Sequence, residues 1–263
     1  ISIDTNDETI LLCPVILEAD QVQVKNIQSS IPNVGLTVIG NSFRVAGNIG
    51  TSTPLTDLTV QADSRFEIDM SIETLELIKF EGDINVLTNH VQFTSYSGTI
   101  QFEGNVIEGN GMVSTYGDVF LDVSCDFEVP VWNMYDGEVA IQGETSSGSV
   151  LFAKSESIIR GMGQILNELE ITEPFTYIIP DTPINENVPL RINNLIASHS
   201  PYFRFEVDGN QNSYVKVETF TMNPGTFVYI NMIAINPIQG QDYNLITGID
   251  NSIPKTIFKT VSG

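Results

Sequence analysis

Basic residues, histidine and cysteine are all scarce in this chain of 263 residues, and these shortages weigh against whole classes of function. Eleven Lys and Arg face 33 Asp and Glu, a formal charge of −22. Binding phosphates needs clustered cations, so no nucleic-acid partner is expected, and anionic lipid surfaces are disfavoured on the same ground. With two histidines, His90 and His199, and no Cys-x-x-Cys pair, zinc-ligand spacing is absent. No Gly-x-Ser-x-Gly elbow occurs; Ser146-Ser147-Gly148-Ser149 reads as a turn. Gly161-x-Gly163 lacks the third glycine and the βαβ setting of a dinucleotide site. No apolar run reaches the ~18 residues of a membrane span. The richest stretch, Phe227 to Ile238, is broken by Asn231 and Asn236 and alternates like a strand.

The chain opens on Ile1 without a basic or hydrophobic leader pattern, as expected of a chain whose leader has been removed or of a piece of something longer. Asp4-Thr5-Asn6-Asp7-Glu8 is acidic but lacks the spacing and distal Glu of a calcium loop, and reads as a solvated turn.

What is abundant is alternation. Apolar residues recur two apart at Leu36/Val38, Phe43/Val45, Leu58/Val60, Phe66/Ile68/Met70/Ile72, Leu75/Leu77, Val91/Phe93, Ile100/Phe102 and Val119/Leu121/Val123, with glycines between the runs. That is the strand period, with one face apolar. Inside it Phe80-Glu81-Gly82-Asp83-Ile84 returns 22 positions on as Phe102-Glu103-Gly104-Asn105-Val106. A period near 20 residues with short strands marks a solenoid, whose coils bury their apolar rows only by stacking. An antiparallel sandwich also gives many short strands; the recurring motif and the brevity of the strands favour the solenoid. Phe80 and Phe102 are then expected one coil apart, pointing inward. Cys13 and Cys125 would be separated by about five coils, roughly 24 Å. Both are therefore expected as buried free thiols, beyond disulfide reach.

Phe43-Arg44-Val45-Ala46-Gly47-Asn48-Ile49-Gly50-Thr51-Ser52-Thr53-Pro54-Leu55-Thr56-Asp57-Leu58-Thr59-Val60 resembles the F-x-G-x-[IV]-G-[GT]-x-x-P-L-x-x-L-x-V repeat of filamentous-haemagglutinin-like adhesins and autotransporter passengers. The later coils are more degenerate. Toward the C-terminus, Tyr202-Phe203-Arg204-Phe205-Glu206-Val207, Tyr214-Val215-Lys216-Val217, Gly225-Thr226-Phe227-Val228-Tyr229-Ile230 and Gly240-Gln241-Asp242-Tyr243-Asn244-Leu245-Ile246 follow in order. This order is similar to that of the last coils of autotransporter passengers, which cap the β-helix and assist its folding. The Asp usual before the second of these strands is replaced by Ser213-Tyr214, which weakens any role tied to it.

The expected fold is thus all-β, a right-handed parallel β-helix, with an opening section over 1–34, repeat coils over 35–153, a proline-rich excursion over 154–196 and capping coils over 197–263. The excursion leaves room for one short helix within Ser155 to Leu169, against the weakening of Gly161 and Gly163. Its prolines predict a long irregular loop. Such insertions commonly carry function, which makes Pro174, Tyr177, Pro180, Asp181, Pro183, Asn185, Asn187 and Pro189 the candidate binding element.

From the resemblance and the shortages together, the expectation is a non-enzymatic, secreted or surface-displayed protein, carried at an outer membrane without itself inserting. As an adhesin or structural stalk it would bind a surface protein or glycan of a host or neighbouring cell, or copies of itself. No cofactor is expected; calcium bridging outward carboxylates is the one ion left open. Two alternatives stand beside this: a subunit of an extracellular fibre or surface layer, and a glycan-active β-helix enzyme. Stacked acidic rows always supply carboxylate pairs for the latter, but Arg44, Lys79, Arg160, Arg191 and Arg204 are too scattered to supply a lyase base and its supporting cations.

Overall fold

The computed structural model describes residues 2–4, 8–31, 33–181, 189–209, 211–239, 242–248 and 258–260. The chain divides into two compact units, Ile1–Asn133 and Met134–Gly263. Both are built of stacked parallel coils, a β-solenoid of about 10 turns in all, with no helix among the described residues.

In the first unit the strands Leu36–Val45, Leu55–Phe66, Met70–Phe80, His90–Phe102 and Met112–Leu121 lie in parallel register. One inward column runs Val38, Val60, Phe80, Phe102, Leu121. All five are essentially inaccessible. Parallel register stacks like on like, so a motif that repeats once per turn becomes a vertical row of the same side chain. Phe80 and Phe102 accordingly stack at 6.3 Å and 23°. Phe93 meets both edge-on at 5.7 and 5.4 Å, and Phe66 joins them. A second row, Ile27, Ile49, Ile72, Phe93, reaches the buried Thr115, whose hydroxyl accepts the Trp132 indole N–H at 3.0 Å. A buried indole is left with no unmet donor this way.

The alternation does not survive the corners. Ile68 and Val123 are exposed, although each continues an inward run in sequence, and Leu75 is exposed too, out of phase with the inward residues. In Met70–Phe80 the inward row passes through Ile72 and Thr74, then resumes at Ile78, because the register shifts at the bend. Gly98 sits at that bend, where a Cβ would lie 1.7 Å from the Glu76 carbonyl oxygen. Cys125 is buried and Cys13 is exposed, so the expectation of two buried thiols is corrected for Cys13, which lies in a bend near the outward Leu12.

In the second unit Gly137–Ile141, Ser157–Gly161, Tyr177–Pro180, Tyr202–Gly209 and Val228–Pro237 stack in parallel. Their buried row is Val139, Ile159, Ile178, Phe203. A second side aligns Leu151, Leu169 and Leu195. The helix expected within Ser155 to Leu169 is not formed. Ser157–Gly161 and Gln164–Ile171 are strands. The two glycines turn a tight corner there, where Cβ atoms would fall 2.0 and 2.2 Å from the carbonyl oxygens of Ile141 and Gly143.

Candidate binding surface

The proline-rich segment is less irregular than its prolines predict. Tyr177–Pro180 is a strand of the coil, paired with Ser157–Gly161 on one side and Tyr202–Gly209 on the other. Pro180 is buried at the strand's end, where a missing N–H is tolerated, and Pro189 is buried just before Leu190–Ala197. Pro174 is exposed in the preceding turn. Pro183, Asn185 and Asn187 lie outside the described residues. Excision of the whole segment would therefore remove part of a coil, not a detachable loop.

Asp181 is held at the strand's end by Arg160, whose Nε donates to Oδ2 at 2.6 Å and whose Nη2 donates to Oδ1. The third guanidinium nitrogen, Nη1, donates to Glu138 Oε1 at 2.7 Å. Asp181 above all, with Glu138, pushes the Arg160 guanidinium still further above its ordinary range. The bidentate fork fixes the carboxylate geometrically.

Tyr177 projects outward and is not alone. In register it falls on Tyr202, and Tyr202 on Tyr229. The rings stack at 5.0 Å and 32°, then 4.7 Å and 17°. All three are half-exposed, and the half-exposed Ile158 extends the column one coil further. Phe175, in the turn before Tyr177–Pro180, stacks against Tyr202 at 6.3 Å and 22° and stays 50% exposed. Burial raises the Tyr202 phenol above its ordinary value, and the Tyr229 and Tyr177 phenols add to this. Of the four rings only Tyr177 was singled out from sequence. The available signal was a Tyr opening three successive strands, Tyr177-Ile178, Tyr202-Phe203 and Tyr229-Ile230, each one coil after the last.

The first unit carries an open cleft of about 380 Å³, lined by Gly40, Asn41, Gln61, Ala62, Asp63, Glu81 and Gly82. Its small residues let side chains recede at the corner. Asp63 accepts the Asp83 amide N–H at 3.1 Å, and Glu81 pairs with Lys79 at 3.1 Å. Lys79 also reaches Glu103 at 3.0 Å, and Glu103 and then Glu81 hold its ammonium above the ordinary lysine range. A protonated amine has no lone pair left to accept a proton, so Lys79, held in its ammonium form, is unsuited as a base.

His90 Nε2 lies 2.8 Å from Ser114 Oγ, while its backbone N–H donates to Asp69. Ser114 is itself buried, which keeps it from a dissolved substrate. His199 is exposed. Among the described residues no three His, Cys, Asp or Glu converge as a metal-holding group. No helix among them is long and apolar enough to cross a membrane. No family model, curated protein or solved structure matches this chain.

Proposed function

We propose that this β-solenoid is a non-enzymatic, secreted or surface-displayed protein, of the adhesin or stalk kind, that works by presenting a surface. The sequence resemblance to autotransporter passengers supports display outside an outer membrane, and a closing role for the C-terminal section that the resemblance covers. The observation that carries the reading is the outward column Tyr177, Tyr202, Tyr229, flanked by Phe175. Aromatic rings kept half in water contribute little to a core, and Tyr is among the residues that supply most binding energy at interfaces. The partner is a surface protein or glycan of another cell, or a second copy of the chain.

The test is binding of the purified chain to candidate cells, compared with a Tyr177→Ala/Tyr202→Ala/Tyr229→Ala variant. Loss of binding with an unchanged far-ultraviolet spectrum is the expected result. Equal binding by the variant removes the tyrosine column from the reading. The glycan-active alternative draws on the cleft with Asp63 and Glu81. Release of reducing ends from a polysaccharide by the parent, abolished by Asp63→Asn, would establish that alternative in place of this one.

A further inference from the structure

Phe175 is the least economical residue on the surface of the second unit. Its φ is 62°, in the left-handed region that favours glycine. Among the described residues the other non-glycine positions with positive φ are Asn33 and Asp136, of the types that tolerate it. A bulky aromatic in that conformation is strained, and strain of this kind persists where the surrounding structure holds it and clusters at functional sites. Here the strain is not repaid by burial, since half of the side chain faces water. What the strained turn achieves is placement: the ring stacks toward Tyr202, which in turn stacks on Tyr177, while half of the Phe175 side chain stays exposed.

Charge narrows what could be received there. Of the 33 acidic and 11 basic residues, 19 and 4 respectively fall in Ile1–Asn133, so the second unit is the less acidic one. Between Glu186 and Glu206 there is no acidic residue, and from Thr219 to Gln241 there is no charged residue at all. Tyr202 and Tyr229 lie in these two stretches. The two stretches that carry Tyr202 and Tyr229 are thus poor in carboxylates on a chain of −22, with Arg204 beside Tyr202 and Glu173 beside Phe175 as exposed charges.

We propose that Phe175, Tyr177 and Tyr202 form a binding site for a neutral glycan. The C–H face of a sugar ring packs on the presented Phe175 ring, and its hydroxyls exchange hydrogen bonds with the phenols, which both donate and accept. An acidic glycan would be repelled by the net charge of the chain. This deepens the surface-presentation reading and rests on it, by naming the ligand class of the same column.

Affinity electrophoresis of the full chain through native gels containing laminarin, mannan or polygalacturonate tests it. Retardation in laminarin or mannan and none in polygalacturonate is expected. Phe175→Gly should weaken retention about tenfold, the order of loss when one aromatic anchor is removed. The same variant should melt no lower than the parent, because glycine relieves the backbone. A purely structural Phe175 would instead lower the melting temperature. Phe175→Trp should retain binding. Retardation in neither neutral gel, retardation in polygalacturonate alone, or retention unmoved by Phe175→Gly would overturn the proposal. If the neutral gels fail while the triple tyrosine variant still loses cell binding, the surface reading stands with a protein partner.

Discussion

The first unit hides its aromatic column and the second displays one. Phe66, Phe80, Phe93 and Phe102 are sealed inside the first unit, packed edge to face and stacked at 5.4 to 6.3 Å. Tyr177, Tyr202 and Tyr229 stand on the outside of the second at 4.7 to 5.0 Å. The buried Phe80/Phe102 stack and the displayed tyrosine column have the same cause, which is parallel register setting like residues above one another in successive coils. Their consequences differ because water differs. A buried ring gains its full transfer free energy on folding, whereas a half-exposed ring gains a fraction and keeps a surface that can be covered later. Repetition on the inside is accounted for by folding, while repetition on the outside calls for another reason.

The interior column is the place to expect the largest effect. Phe102→Ala should cost about 3–5 kcal/mol, for a cavity that parallel neighbours above and below cannot collapse to fill. Equilibrium urea unfolding measures it. A loss under about 1 kcal/mol would mean that Phe102 does not bear on the core. Gly98→Ala comes next. Its Cβ would meet the Glu76 carbonyl at 1.7 Å, which is backbone and cannot rotate away. A loss of about 1–3 kcal/mol is expected, as for overpacking elsewhere. An unchanged midpoint would show that the corner relaxes freely.

These corners also mark where sequence stops being legible. The solenoid, its period and the inward Phe80/Phe102 pair follow from two-residue alternation and one repeated pentapeptide, because strand periodicity is local. Ile68 turns out at a corner between the inward Phe66 and Met70, and Leu75 falls out of phase with the inward Thr74 and Ile78; where a corner falls depends on the coil beneath it. Gly161 and Gly163 argue equally for a loop, a weak helix or a tight corner until Ile141 and Gly143 are known to pass beneath them. The prolines of the excursion misled for a related reason. Pro180 ends a strand without breaking it, since the position does not need its N–H. Of the candidate binding residues, Tyr177 led to the displayed column, but Tyr202 and Tyr229 join it only through register, which is not written in any one stretch of the chain.

The two thiols give a smaller, sharper contrast between inside and outside. Burial, with Asp126, Asp122 and Asp83 adding to it, pushes the Cys125 thiol up to about 12, while Cys13 is exposed. At pH 8 the thiolate is the reactive form, so native protein should present Cys13 alone to an aromatic disulfide reagent and denatured protein both cysteines. With its folded value raised, Cys125 favours the native state below the ordinary thiol range. That contribution is lost as pH climbs toward 12, so alkaline unfolding should expose it. Rapid labelling of Cys125 in native protein at pH 8 would contradict its burial.

The most direct measurement is the urea midpoint of Tyr202→Ala set beside that of Phe102→Ala. Tyr202 lies at the centre of the outer column, stacked on both neighbours. If the outer column is there to be covered by a partner, its loss should cost no more than about 0.5–1.5 kcal/mol, the scale of an aromatic pair. Phe102→Ala should cost several times that. Equal losses from the two variants would show that the displayed tyrosines hold the fold together as the buried phenylalanines do, and the case for a binding surface would fall.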